Sequence, residues 1–175
     1  MAGTPSEAGV DASSAADRAQ DHSVAAARSP RLRILVVDDE PSICEVLARL
    51  LDAYDMEVIT SLSAAAALEE IDASTFDVVL IDLRLRDARG DALFRAAVER
   101  QPSLRERSLF MTGDISIEAE RVIAATNCPY FRKPFDITIA VQAIAARAGV
   151  AIESGRLIAA EPQRTDDLFE VRRRA

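Results

Sequence analysis

The chain has 175 residues, of which 49% are hydrophobic, enough for one domain with a proper core and too few for two. Its formal charge of −8 and sequence pI near 4.7 exclude a broad basic face for nucleic acid, and the one basic cluster, Arg172 to Arg174, sits at the C-terminal end. Two cysteines, Cys44 and Cys128, have neither metal-ligand spacing nor disulfide-scaffold density, and no apolar run approaches the length of a membrane span, so a soluble cytoplasmic protein is expected.

Residues 1–30 are mostly Ala, Ser, Asp and Gly and read as a disordered leader that buries too little apolar surface to offset its ordering entropy. From Arg31 onward, short apolar runs alternate with helical stretches. The runs are "LRILVV", "MEVIT", "FDVVLI", "SLFMT" and "YFR", and the first and third are continuous, as strands covered on both faces require. Between them, "SICEVLARLLDAY" places Ile43, Val46, Leu47, Leu50 and Leu51 on one predicted apolar stripe, with Pro41 suited to the first turn. "SAAAALEEI" follows a Ser63 cap, and "DALFRAAVER", "SIEAERVIAAT" and "DITIAVQAIAARA" complete the helices, the last stopped by Gly149. Five strands alternating with five helices predict an α/β parallel sheet with right-handed crossovers. Residues 150–175 are expected to form a disordered tail or a short helix around Leu168, Phe169 and Val171.

In such sheets ligands bind beyond the carboxyl ends of the strands. Asp38 and Asp39 close the first strand and Asp82 closes the third, so a 2-1-3-4-5 strand order brings three carboxylates together. Like charges so placed raise one another's pKa unless a cation compensates, and magnesium, with its preference for oxygen ligands, answers that need. The bland alternative is that Asp39 caps the next helix and Asp82 ends its strand by chance. Two further strand ends weigh against it. Thr112 closes "SLFMT", and Lys133, the only lysine in the chain, follows "YFR" where a flexible point charge reaches a phosphoryl oxygen.

On these residues, the chain from Leu32 to Gly149 resembles the receiver domain of bacterial two-component response regulators. The resemblance implies a flavodoxin-like fold, Asp38 and Asp39 as the acidic pair, Asp82 as phospho-acceptor, and Thr112 and Lys133 as catalytic contacts to the phosphoryl oxygens. It further implies Mg2+ held by Asp38, Asp39, Asp82 and the Arg84 backbone carbonyl, with Thr112 and Tyr130 as a switch and a cis Lys133–Pro134 bond. The expected donor is a sensor histidine kinase or phosphotransfer protein. Output is expected through an unknown protein target, by contact or phosphorelay, without direct DNA binding or a membrane. The chain would promote its own phosphorylation and dephosphorylation rather than act as an enzyme on a separate substrate.

Some residues depart from the family pattern. In "DLRLRDARG", Arg86 stands where relatives carry proline, which predicts a looser loop, although Gly90 still supports its turn. Arg84 projects a cation toward the mouth of the site, and Asp114 either pairs with it or is solvated. Only some twenty-five residues follow Gly149, too few for a winged helix or helix-turn-helix with its own core, so a stand-alone receiver is expected. Two other classes remain: a magnesium phosphohydrolase of the haloacid dehalogenase type, which needs an aspartate where Arg84 stands, and a phosphate-independent pseudo-receiver.

Overall fold

The computed structural model describes residues 31–114, 116–153 and 156–159; the expected leader and the helix around Leu168 lie outside them. The elements run β1 (Arg33–Val37), α1 (Pro41–Asp52), β2 (Glu57–Ser61), α2 (Ala64–Ala73), β3 (Val78–Asp82), α3 (Gly90–Arg100), α4 (Leu104–Arg107), β4 (Ser108–Thr112), α5 (Ile117–Thr126), β5 (Tyr130–Arg132), α6 (Ile137–Ala148), β6 (Val150–Glu153) and β7 (Arg156–Ala159). The first five strands form one parallel sheet in the order β2-β1-β3-β4-β5, the expected doubly wound arrangement.

Because successive strand residues point to opposite faces, the continuous runs feed two cores at once. Leu35, Val37, Val79 and Ile81 pack with α2, α3 and α5, while Ile34, Val36, Val78 and Leu80 pack with α1 and α6. All eight are fully buried, and each contributes about 1.5–3 kcal/mol of apolar burial. Ser63 caps α2 by accepting the Ala66 N–H, and Gly149 ends α6 at φ 74°, a conformation that favours glycine.

Three expectations need correction. The buried face of α1 is Cys44, Leu47 and Leu51, and Val46 is 55% exposed, so the apolar stripe is rotated from the one the aliphatic spacing suggests. A sixth helix, the single turn α4, precedes β4, its Leu104 buried and its carbonyl accepting from Ser108 Oγ at 2.7 Å. Directly after α6, at the start of the expected disordered or helical tail, residues 150–153 and 156–159 instead pair as an antiparallel hairpin of β6 and β7, and the rest of that tail lies outside the described residues. Ile152 and Leu157 of that hairpin pack against the core beneath α1 and α6, which supplies the apolar burial that a two-stranded ribbon lacks alone.

Candidate functional site at the carboxyl edge of the sheet

The ladder continues past the strand ends and sets the site's positions. The Asp38 N–H donates to the Ser61 carbonyl at 3.1 Å, the Leu83 N–H to Met111 at 2.9 Å and the Lys133 N–H to Thr112 at 2.8 Å. Register pairs Val37 with Ile81 and Asp82 with Met111, so Asp38, Asp82, Thr112 and Lys133 stand at one edge of the sheet.

Lys133 is the hub. Its Nζ donates to Asp38 Oδ2 at 2.5 Å and to Asp82 Oδ1 at 2.6 Å. The other oxygens are held by backbone: Asp38 Oδ1 accepts the Glu40 N–H at 3.0 Å, and Asp82 Oδ2 accepts the Arg84 N–H at 2.6 Å. Burial pushes the Asp82 carboxyl above its ordinary pKa, outweighing the opposing hydrogen bonds from Lys133 and Arg84. Burial works to lower the Lys133 ammonium, but its hydrogen bonds to Asp38 and Asp82 prevail and leave it raised. The Lys133–Pro134 bond is cis.

Asp39 borders the same cleft but pairs with a different cation. Its Oδ2 accepts Arg86 Nε at 2.9 Å, and the N-cap of α1 is Glu40, so Asp39 is not a helix cap. Of the two futures open to Asp114, pairing is the one found: Arg84 Nε donates to Asp114 Oδ2 at 2.8 Å. Asp114 also accepts the Ser116 N–H at 2.9 Å, the main reason its carboxyl is held below the ordinary range. Thr112 is buried, its Oγ1 accepting the Asp114 N–H at 2.9 Å, and Tyr130 lies on β5 with 38% of its surface exposed.

The loop after β3 is not loose, despite lacking proline. Asp87 accepts the Ala64 and Ala65 N–H groups at 3.0 and 3.1 Å, adding a second cap to α2 and lowering its own pKa, and Leu85 N–H donates to Ala88 O at 3.2 Å. Gly90 closes the loop by close approach rather than by an unusual φ: a Cβ there would meet the Asp82 carbonyl oxygen and the Leu83 Cα. Sequence reading missed the roles of Asp87 and Arg86, because each contact spans more than twenty residues and leaves no local pattern.

Asp39, Glu40, Asp82, Arg84, Thr112, Gly113, Asp114 and Lys133 line an open cleft of about 330 Å³. Asp38 lies behind it, bound to Lys133. The three carboxylates therefore do not enclose a cage, and among the described residues no three acidic, histidine or cysteine side chains do. A hard cation such as magnesium needs only one or two carboxylates and keeps several waters. Asp39 and Asp82 in one cleft meet that requirement, so the donor set fits. No helix among the described residues is long and apolar enough to cross a membrane.

The model of the response regulator receiver domain matches residues 34–145. The transcriptional regulatory protein CutR of Streptomyces coelicolor is 32% identical over 124 residues, 69% of this chain and 57% of that protein. ZraR of Salmonella typhimurium, also named a transcriptional regulatory protein, is 33% identical over 107 residues, 61% of this chain and 24% of its own length. The chain thus spans between about a quarter and somewhat over half of these curated relatives. Among solved structures, a CheY-like receiver domain protein from Methanospirillum hungatei superposes with a TM-score of 0.63 at 25% identity, covering 68% of this chain and 94% of that one. A response regulator from Burkholderia pseudomallei, described with a phosphorylated aspartic acid and a calcium ion, gives 0.60 at 26% identity, covering 67% of this chain and 68% of that one.

Proposed function

Because the chain belongs to the response regulator receiver domain family, we propose that it accepts a phosphoryl group on Asp82 from a histidine kinase or phosphotransfer protein. The observation that carries this reading is the Asp82 carboxylate itself: buried at a strand end, oriented by Lys133 and the Arg84 N–H, and bordering an open cleft. An Asp82 oxygen attacks phosphorus, the bond from phosphorus to the donor imidazole nitrogen breaks, and an acyl phosphate forms. Negative charge spread over the phosphoryl oxygens makes positioned cations the main contribution of the protein. Lys133 supplies one, and the Thr112 hydroxyl, whose oxygen accepts the Asp114 N–H, turns to donate its O–H to a phosphoryl oxygen. Asp39 and Asp82, with Asp38 more remote and the Arg84 carbonyl in support, would hold Mg2+, which when bound supplies further positive charge to those oxygens.

Movement of Thr112 vacates space for Tyr130 to turn inward, changing the surface of α5, β5 and α6 that a partner protein reads. The named relatives are transcriptional regulators, but the acidic balance of this chain favours output by protein contact over direct DNA contact. The test is intact-mass analysis after incubation with acetyl phosphate or phosphoramidate, with and without Mg2+, beside Asp82→Ala. A magnesium-dependent gain of one phosphoryl group that the variant lacks supports the reading. No gain, also with a histidine kinase as donor, makes the chain a phosphate-independent binding module.

A further inference from the structure

We propose that Arg86 is an internal competitor for the divalent cation, occupying Asp39 until the ion displaces it. This rests on the reading that the cleft takes a metal. Three carboxylates meet at the sheet edge, and the protein neutralises them with its own cations: Lys133 is committed to Asp38 and Asp82, at 2.5 and 2.6 Å, which leaves Asp39 to Arg86 at 2.9 Å. The arginine is placed rather than merely nearby. It sits in a loop pinned through Asp87 to the start of α2 and closed by the Leu85 to Ala88 hydrogen bond.

The two ends of the pair differ in a way that makes it reversible. The Arg86 side chain is 81% exposed while that of Asp39 is 19% exposed, so the guanidinium can leave for water and the carboxylate stays at the cleft. A doubly charged ion on Asp39 repels the guanidinium and drives it outward, and metal binding must therefore overcome the pair. An exposed ion pair shifts such an equilibrium by about two- to five-fold. Lys133, held by two buried carboxylates, offers no comparable exit.

The experiment is calorimetric titration of the full chain with Mg2+ alone, repeated for Arg86→Ala, Arg86→Lys, Asp39→Asn and the Arg86→Ala/Asp39→Asn double variant. Arg86→Ala is expected to bind Mg2+ about two- to five-fold more tightly than the wild type, with Arg86→Lys between them. The gap closes in about 1 M NaCl, where the screening length is about 3 Å, and it disappears in the Asp39→Asn background. Equal affinities of wild type and Arg86→Ala at low salt, or a gap that survives Asp39→Asn, overturn the competition while leaving the phospho-acceptor reading in place. Failure of both proteins to bind Mg2+ overturns the competition and the metal reading together.

Discussion

Lys133 and Arg86 are both cations set against aspartates at the same sheet edge, yet they belong to different energetic regimes. The Lys133 ammonium bridges two buried carboxylates, with side-chain exposures of 17% for the lysine and 1% and 8% for Asp38 and Asp82. Arg86, like Arg84 on Asp114, reaches in from solvent. Where charges are buried, the pairing compensates a large desolvation cost, and removing one partner exposes that cost. Where they are exposed, water and salt already supply most of the screening, and the pair can be exchanged. The chain thus builds a fixed element and a removable one from similar chemistry.

The largest expected effect is on the fixed side. Lys133→Ala strands two buried carboxylates and should cost about 3 kcal/mol of stability by urea unfolding; a loss below about 1 kcal/mol would place Lys133 in the same regime as the arginines. Gly90→Ala comes next, because its Cβ meets the backbone of Asp82 and Leu83 rather than a movable side chain. The expected loss is about 2 kcal/mol, in the range for overpacking, together with slower phosphoryl uptake as the Asp82 backbone shifts.

Asp82→Asn, which leaves Lys133 paired with the Asp38 carboxylate, should act in the opposite direction and by less. Burial raises the folded-state pKa of Asp82 above its ordinary 3.8, so between those two values the native state holds more protons than the unfolded chain, and stability falls as pH rises. The Asn variant should therefore match the wild type in acid below that window, gain on it as pH rises through the window, and keep the gain at neutral pH. Thermal melts across that range would refute the assignment if the advantage appeared instead on acidification. Arg84→Ala, the smallest, should change stability by less than about 1 kcal/mol and by less still in high salt.

How far the sequence could be read follows the same division between local and distant physics. The first and third strands were legible because the continuous runs "ILVV" and "VVLI" signal strands buried on both faces, and the Ser63 and Gly149 helix ends were legible because caps act within a turn. The α1 stripe differs from the aliphatic spacing because Cys44, a free cysteine that behaves as a small hydrophobe, takes the inward position and Val46 faces out. A four-residue helix such as α4 is too short to show a period. The hairpin carried a usable sign, two apolar runs about a Ser-Gly pair in "VAIESGRLIA". At the site, the strand-end residues Asp38, Asp82, Thr112 and Lys133 were legible from position alone. The pairing of Asp39 with Arg86, and of Asp87 with the start of α2, depends on the folded loop and was not.

The proposed assignment of Asp82 as the nucleophile among the carboxylates gathered at this edge can be read directly at one residue. Phosphorylated wild-type protein, reduced with borohydride and digested, converts an acyl-phosphate aspartate to homoserine, which peptide sequencing locates. Homoserine is expected at position 82, with positions 38, 39 and 114 unchanged. Homoserine at one of those positions, or none at 82 in protein shown by intact mass to carry a phosphoryl group, would contradict it.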